Sequence, residues 1–289
     1  MIRRLPLFTL PLVLAACDAG RPVSPEGPST GAVTLKGKRF DVQLVTLERE
    51  RKRTLPSLPA AADGKGTLLC WPRERFMKLE PREARASFDV AFLDLSGKVV
   101  ELGFLEAGDP RGIMPSVEAA YVLLVAPKSL AAAKGDVADL SPEIKAAKPQ
   151  ELPLVRIGDV EARVELALTE AERQHGLMHR PRMSADDGML FAYTYDGRRS
   201  FWMGNTLIPL DIAFIKTDGT IVNVNETPTY PNPENPPTPY PTSDSKGEAR
   251  YVLEMNLGWF KRKGLTDAAG QLKPGLKAVL PPEALKGSD

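Results

Sequence analysis

Short apolar stretches recur along the chain and are separated by turn-forming residues. Apolar and polar residues alternate over 40–46 and again over 162–168, and a period of two is typical of half-buried strands. Further apolar runs of strand length occur later in the chain, at 189–193, 210–215, 221–224, 251–255 and 276–280. The pattern therefore predicts a sheet-rich chain with few and short helices.

Local signals mark where some of these elements begin and turn. Thr169 and Glu172 have the spacing of a capping box, in which the hydroxyl accepts a first-turn amide while the carboxylate reaches back. They predict a short helix that begins after Thr169. Asp218-Gly219 separates two apolar runs and predicts a hairpin turn. Pro209 favours an extended chain just before the next strand.

The same pattern runs through the chain twice. Placing Val42 on Val164 gives an ungapped offset of 122 residues. This register aligns identical polar residues and glycines: Glu48 with Glu170, Glu50 with Glu172, Arg51 with Arg173, Gly66 with Gly188, Asp89 with Asp211 and Gly97 with Gly219. After eight additional residues in the second copy, Tyr121-Val122-Leu123 falls on Tyr251-Val252-Leu253. Such matches in one register indicate an internal duplication.

The predicted fold class is α+β, with two tandem, internally duplicated, sheet-rich domains. Each domain should be a curved antiparallel sheet with one or two short helices. We place the first copy at 32–148 and the second at 149–289. The second copy carries a Pro-rich insertion at 227–245, which we predict to be a surface loop because proline cannot donate to a sheet ladder. Its Tyr230 and Tyr240 could serve recognition, or the insertion could be rigid and without function.

The N-terminus has the pattern of an export signal. Two arginines precede the apolar stretch Leu5–Leu14, which is too short to span a bilayer as a mature helix. Ala15 and Ala16 then precede Cys17, and this arrangement resembles the bacterial lipoprotein box, in which the cysteine is diacylated. We therefore predict a signal peptide at residues 1–16.

Lipidation of Cys17 would anchor the exported chain. Two acyl chains suffice for stable attachment, and the Pro-, Ser- and Gly-rich stretch 17–31 would tether the lipid to the folded body. The alternative is an ordinary signal peptide cleaved near Gly20. Lipidation predicts a bacterial cell-envelope location, on the periplasmic face or at the cell surface, with the membrane as a partner.

Composition narrows the class of protein and the kinds of partner to expect. The 289 residues are 43% hydrophobic and 26% charged, which is typical of globular proteins. Basic and acidic residues number 38 and 37, and no basic block stands out, so nucleic acid is not an expected partner. The chain has two cysteines. With Cys17 lipidated, Cys70 would have no partner for a disulfide and is predicted to be a small buried hydrophobic residue.

The second copy carries a family resemblance in four segments: VELALTEAERQHGLMHR (164–180), DGMLF (187–191), FWMGNTLIPLDIAFIKTDGTIV (201–222) and YVLE (251–254). Through them, residues 155–280 resemble the bacterial and archaeal family called domain of unknown function number 192. The FWM-x-NT-x-x-PLD core is the most specific part. The resemblance implies a compact, sheet-rich α+β fold for this domain and no settled activity.

The first copy keeps the strand residues and Asp89 but has lost the polar signature. Residues 79–84 read LEPREA where the second copy has Phe201–Thr206. A signature needed only for folding should decay less selectively. We therefore predict that the second copy carries the function and that the first is structural or binds a partner.

The candidate ligand-binding site combines polar and aromatic signature residues with one cation: Trp202, Asn205, Thr206, Asp211 and Arg180. An apolar ring beside a few oriented polar groups is how pockets for sugars or cyclic ligands are built. The structural alternatives are a core Trp, a tight turn built by Asn and Thr, and a buried Asp paired with a cation or amides. Because Asp89 persists in the first copy, Asp211 is the weaker candidate.

The leading hypothesis is a lipid-anchored envelope protein that binds a small ligand, glycan or protein partner through this patch. One alternative is a hydrolase-like envelope enzyme that uses Asp211 as acid, base or orienter, with Glu254 or Glu226 as the second carboxylate. Another is a structural scaffold. The residue types favour a binding protein over an enzyme, and no catalytic residue is assigned.

No cofactor or metal is predicted. Walker and Rossmann glycine patterns do not occur in the sequence. His175 and His179 are the only histidines, and although four residues apart in a predicted helix they lack further ligands at zinc-site spacing.

Overall fold

The computed structural model describes residues 29–286 except 81–83, 110, 234, 236 and 268, and for 53–57 it describes the backbone alone. The predicted signal peptide, Cys17 and most of the predicted tether lie outside the described residues. No helix within the described ranges has the length and apolar content needed to cross a membrane.

The first domain is a seven-stranded sheet with two helices. Its elements in chain order are β1 (Thr30–Leu35), β2 (Lys38–Val45), α1 (Glu48–Ser57), β3 (Lys65–Arg75), β4 (Phe88–Leu93), β5 (Val99–Leu105), β6 (Ala119–Val125), β7 (Asp139–Leu140) and α2 (Pro142–Ala146). The strand order is β5-β4-β6-β3-β2-β1-β7. The order differs from the chain order, so the sheet is not a simple meander.

The second domain has a seven-stranded sheet and a separate two-stranded sheet. Its elements are β8 (Leu154–Ile157), β9 (Val160–Ala167), α3 (Glu170–His175), β10 (Asp187–Gly197), β11 (Ser200–Trp202), β12 (Leu210–Ile215), β13 (Ile221–Thr227), β14 (Thr242–Asp244), β15 (Ala249–Asn256), α4 (Trp259–Arg262), β16 (Ala278–Val279) and α5 (Pro282–Leu285). The large sheet has the order β13-β12-β15-β10-β9-β8-β16, and β11 pairs only with β14.

The two large sheets have the same topology. When each strand is matched to its counterpart in the other copy, the two orders become identical, with β11 and β14 as additions in the second copy. The predicted α+β class, with two tandem, duplicated and sheet-rich domains, is confirmed. The capping box is also confirmed, since Thr169 and Glu172 make both of its hydrogen bonds at the start of α3.

Each sheet is mixed, whereas the sequence predicted antiparallel sheets. Strands β2 and β3 run parallel, and so do β9 and β10, while every other pair in the large sheets is antiparallel. A parallel pair requires a crossover connection instead of a hairpin. The helices α1 and α3 lie in these two crossovers.

Both faces of the second sheet are covered by apolar side chains. On one face, Ala213, Leu253 and Met255 belong to one core cluster. On the other, Met189, Phe214 and Val252 belong to a second cluster. We call these the Leu253 face and the Val252 face. Burial on both faces explains why all six residues of β12 are buried and why its sequence lacks alternation.

A buried arginine joins α1 to both strands of the parallel pair in the first domain. Arg51 Nη1 donates to the carbonyls of Thr46 at 2.6 Å and Cys70 at 2.8 Å. Its other nitrogens donate to the carboxylate of Glu48. The guanidinium also lies over the ring of Trp71, 5.1 Å from its centre.

The second domain repeats this arrangement residue by residue. Arg173 Nη1 donates to the carbonyls of Leu168 and Ala192, and Nη2 donates to Glu170 at 3.0 Å. The guanidinium lies over Tyr193, 5.0 Å from its ring centre. Each partner is the residue 122 positions after its counterpart in the first domain. The Glu and Arg matches in the sequence therefore reflect one brace that both copies retain.

Two glycines at equivalent hairpin turns, one in each domain, also have the same role. Gly97 and Gly219 have φ values of +87° and +82°, which favour glycine. A Cβ at either position would also lie within 3 Å of a backbone oxygen, that of Ala138 or Ala278 respectively. The turn after β4 or β12 can approach the last strand only where no side chain intervenes.

The brace predicts a large cost for a conservative change. Arg51→Lys removes the planar fork that serves three carbonyls, of Thr46, Cys70 and Gln150, together with one carboxylate, and a single ammonium cannot replace it. We expect the free energy of unfolding to fall by about 2–4 kcal/mol, measured by urea denaturation at pH 7.

The matched control is Arg156→Lys, because Arg156 pairs with Glu161 while both side chains are at least half exposed. It should change stability by less than about 0.5 kcal/mol. Equal losses in the two variants would contradict the brace.

Candidate functional site

The small two-stranded sheet divides the signature into a buried side and an exposed side. Ser200 pairs with Asp244, Phe201 with Ser243 and Trp202 with Thr242. Phe201 packs edge-on against the core rings of Phe191 and Phe214, with ring centres 5.0 and 6.1 Å away. Since side chains alternate along a strand, Ser200 and Trp202 lie on the opposite side of β11.

This opposite side carries exposed aromatic, hydroxyl and carboxylate groups. Trp202 is 42% exposed and Tyr240 is 52% exposed, with ring centres 5.3 Å apart at 61°. Asp244 accepts hydrogen bonds from the hydroxyls of Ser200 at 2.6 Å and Thr242 at 3.1 Å. We call these five residues the Trp202 platform.

The platform is held in place from below and from the side. A Cβ on Gly204 would lie 2.5 Å from the ring of Trp202, so the indole rests directly on this glycine. Tyr230 is buried in the Val252-face core and its hydroxyl donates to the carbonyl of Pro241. Asn225 donates to the hydroxyl of Ser243 at 2.9 Å. The Pro-rich insertion is thus folded onto the signature, and its last residues form a strand.

Asn205 and Thr206 lie in the tight turn next to the platform. Asn205 has a φ of +55°; its amide donates to the carbonyl of Pro233, and its carbonyl accepts from the amide of His179, each at 2.7 Å. Thr206 is buried, and its amide donates to the carbonyl of Met203. Their backbones join the insertion to the turn after α3. Direct ligand contact by these two side chains stays a prediction.

Asp211 is 2% exposed and uses both of its oxygens in the fold. They accept the amides of Gly258 at 2.9 Å and Phe260 at 3.0 Å, at the start of α4. Burial raises the pKa of Asp211, and the two amides oppose that shift. Asp89 accepts the amide of Leu130 in the equivalent place. These contacts favour the structural reading of Asp211 through amide donors.

Neither of the carboxylates considered for hydrolysis forms an accessible pair with Asp211. Asp211 pairs with Met255 across β12 and β15, while Ile212 pairs with Glu254. Glu254 therefore lies on the Val252 face and Asp211 on the Leu253 face. Glu226 is in register with Asp211 on β13, but it is exposed while Asp211 is buried.

Arg180 lies in a chain of buried ion pairs that reaches the first domain. Its Nη1 and Nη2 each donate to Glu165 at 2.8 Å. Arg75 of the first domain donates to the same carboxylate at 2.9 Å and lies 3.0 Å from Asp187, which also accepts from Arg163. Burial alone would raise the pKa of Glu165, but Arg180 and Arg75 lower it below its usual range. We call these five residues the arginine network.

Glu254 lies beside this network, and among the residues that the structure describes its carboxyl makes no hydrogen bond or ion pair. It pairs with Met189 across β10 and β15, and Met189 pairs with Glu165 across β9 and β10, so the three side chains form a row. Glu254 is 6% exposed. Burial raises the pKa of Glu254 to about 8, although nearby Arg180 acts in the opposite direction. The carboxyl is therefore mostly neutral at pH 7.

The two histidines lie near the first domain. Helix α3 ends at His175, so His179 is in the following turn, with a φ of +58°. His175 Nε2 lies 2.8 Å from Glu80 of the first domain, and the two imidazole rings are 6.5 Å apart. Burial would raise the pKa of Glu80, but His175 and Lys78 lower it to about 2. Within the described ranges, no group of three or more His, Cys, Asp or Glu is placed to hold a metal.

Cys70 is buried in the first-domain core, as predicted. Burial raises the pKa of its thiol to about 12, so the thiol stays protonated and unreactive.

Comparison with known proteins identifies the second domain. The model of the family described as Uncharacterized ACR, DUF192, matches residues 154–269. The chain belongs to the DUF192 family through this domain. The family prediction is thereby confirmed for the second copy.

Two solved structures are similar to a part of the chain. One is a Sinorhizobium meliloti 1021 protein provisionally described as a transcription regulator, with 32% identity, 46% of this chain and 98% of that chain covered, and a TM-score of 0.37. The other is a Novosphingobium aromaticivorans DSM 12444 protein of unknown function, with 32% identity, 45% and 84% coverage and a TM-score of 0.37. No curated protein matches the chain.

The environment of Glu254 predicts a pH dependence of stability in the DUF192 domain. The folded state keeps this proton up to about pH 8, whereas the unfolded chain loses it near 4.5. Because the folded state then binds the extra proton, stability should fall as pH rises from 5 to 8, by on the order of 4 kcal/mol from this group.

Glu254→Gln should remove that component, so its stability relative to the wild type should increase steadily between pH 5 and pH 8. Urea denaturation at pH 5, 6.5 and 8 measures the difference, with the half-exposed Glu161→Gln as control. A difference that is independent of pH would show that Glu254 is ionised in the folded protein.

Proposed function

We propose that the DUF192 domain binds a glycan on the Trp202 platform, in a protein that a lipid on Cys17 anchors in the bacterial envelope. The observation that carries the binding proposal is the pair of exposed rings, Trp202 and Tyr240, beside an exposed carboxylate and two hydroxyls. Large aromatic residues are usually buried, so a rigidly supported exposed pair marks an interaction surface.

The chemistry of the platform matches a sugar better than an apolar ligand. The C–H face of a pyranose packs on an aromatic ring, while its hydroxyls donate to a carboxylate and exchange hydrogen bonds with Ser and Thr. Asp244 supplies the carboxylate, and its two oxygens each retain a free lone pair after accepting from Ser200 and Thr242. An aromatic surface alone would equally fit a protein partner, but the cluster of polar groups beside it favours a glycan.

The hydrolase alternative gains no support from these contacts, because Asp211 is buried and both of its oxygens accept amides. The envelope location rests on the N-terminal sequence. An envelope protein tethered close to the membrane would meet the glycan strands of the cell wall, which gives the proposed activity a place to act.

Removing the indole should abolish most of the binding. Trp202→Ala and Tyr240→Ala should each weaken binding of chitotetraose or a peptidoglycan fragment at least about tenfold, equivalent to about 1.4 kcal/mol. Isothermal titration calorimetry measures this directly, with maltotetraose as a glycan of different linkage and substituents.

The control is Phe104→Ala, which removes an exposed aromatic ring, 53% exposed, from the first domain. It should bind as the wild type does. The proposal fails if none of the three glycans binds, or if the Trp202 and Phe104 variants bind equally.

The anchor is tested separately. Cys17→Ser should move the protein from the membrane fraction to the soluble periplasmic or culture fraction, because the serine hydroxyl cannot accept the lipid. Immunoblotting of cell fractions measures the distribution, with Cys70→Ser as the control that retains the anchor. Continued membrane retention of Cys17→Ser would rule out the lipid as the attachment.

A further inference from the structure

A cavity of about 240 Å³ lies between the two domains, away from the Trp202 platform. The first domain contributes residues of α1 and β3 and of the segment after β3, and the second contributes residues of β9, α3 and β10. The volume is below the roughly 300 Å³ at which pockets begin to hold drug-sized molecules. A ligand for this cavity must therefore be small.

The charges around the cavity leave one positive charge in excess. The arginine network contains three guanidiniums and two carboxylates, and its members Arg75, Glu165 and Arg180 line the cavity. The other charged lining residues are three cations and three carboxylates, which cancel: Arg51, Lys52, Lys78, Glu48, Glu80 and Glu172. His175 also lines the cavity, next to Glu80. An excess cation enclosed by protein attracts an anion strongly, because the local dielectric is low.

Among the described residues, two donors of the network make no hydrogen bond, and of these Arg75 Nε still lies 3.0 Å from Asp187 whereas Arg180 Nε faces no carboxylate. Arg180 is only 9% exposed, and in the described part of the chain its Nε has no hydrogen-bond partner. Its other two nitrogens are used by Glu165. A buried N–H without an acceptor costs free energy comparable to a lost hydrogen bond, so a ligand oxygen at this position would be stabilised.

Apolar side chains complete the walls. Trp71 and Met77 line the cavity from the first domain, and Met189 lines it from the second, adjacent to Glu254 in the row across the sheet. All three side chains are buried, with exposed fractions between 3% and 6%. The cavity thus combines a cationic side with an aromatic and thioether side.

We infer that this interdomain cavity binds a small carboxylate that carries an apolar group. The carboxylate would accept from Arg180, and the apolar group would pack against Trp71, Met77 and Met189. Because Glu254 holds its proton, it adds no competing negative charge beside the ligand at neutral pH. The site uses residues from both copies, so the first domain would serve as the second wall of a binding site.

The test compares benzoate with benzamide, a neutral molecule of nearly the same shape, on the full mature chain. Saturating sodium benzoate should raise the melting temperature by about 2–5 °C. Benzamide, and sodium chloride at equal ionic strength, should each raise it by less than about 1 °C. Crystals soaked in 4-bromobenzoate should show the bromine anomalous peak between Trp71 and Met189.

Two variants locate the effect. Met189→Phe replaces a flexible thioether by a larger, rigid ring and so narrows the cavity without changing any charge. The shift produced by benzoate, measured against the variant's own melting temperature, should therefore be at least halved. Trp202→Ala leaves the cavity intact and should keep the full shift, which separates this site from the platform.

Three results would overturn the inference: no shift with benzoate, equal shifts with benzoate and benzamide, or a bromine peak outside the cavity. A shift that sodium chloride reproduces would indicate charge screening alone and would also overturn it.

Discussion

Each domain depends on one guanidinium that joins a helix to two parallel strands, buried in the case of Arg51 and partly buried in the case of Arg173. A parallel pair cannot be closed by a hairpin, so the crossover helix must be fixed to the sheet by contacts of its own. Arg51 and Arg173 provide them through two strand or strand-end carbonyls, one helical carboxylate and one aromatic ring. The cost of removing the positive charge from water is offset because every one of these groups is a hydrogen-bond acceptor or a π face. This explains why Glu and Arg persist in the first copy after its polar signature has disappeared.

One row of the sheet differs in its ionisable residues between the two copies. In the second domain the row is Glu165, Met189 and Glu254, whereas the first domain has Gln43, Thr67 and Leu124 at the equivalent register positions. The acidic row of the second domain attracts Arg75 of the first, which the sequence repeat cannot reveal because Arg75 has no arginine counterpart at position 197. The first copy thus contacts the second through an ion pair between Arg75 and Glu165, while both copies retain the same strand order.

The sequence predicts local features of this structure better than long-range ones. The capping box at Thr169, the hairpin at Gly219 and the buried state of Cys70 follow from neighbouring residues, and each is present. The pairing of β11 with β14 joins residues about forty positions apart, and a Pro-rich composition concealed the strand at Thr242–Asp244. The sequence therefore singled out Trp202 as a candidate but did not indicate that Ser200, Thr242 and Asp244 are its neighbours. Arg75 was missed because a charged residue at the end of a strand usually lies in solvent, and because its partners are far away in the sequence.

The contacts between the domains show whether the two copies are independent units or parts of one structure. Arg75 donates to Glu165 and lies beside Asp187, and both of these carboxylates are buried in the second domain. If the two copies moved as independent beads, separation would leave Glu165 and Asp187 each with one arginine in place of two. Lys52 and Phe76 add hydrogen bonds across the same boundary, to Leu166 and Ser184. Breaking a buried ion pair by removing one partner costs several kcal/mol, which is comparable to the stability of a whole domain. The first copy is therefore an integral part of the second domain's structure, even though its own signature has been lost.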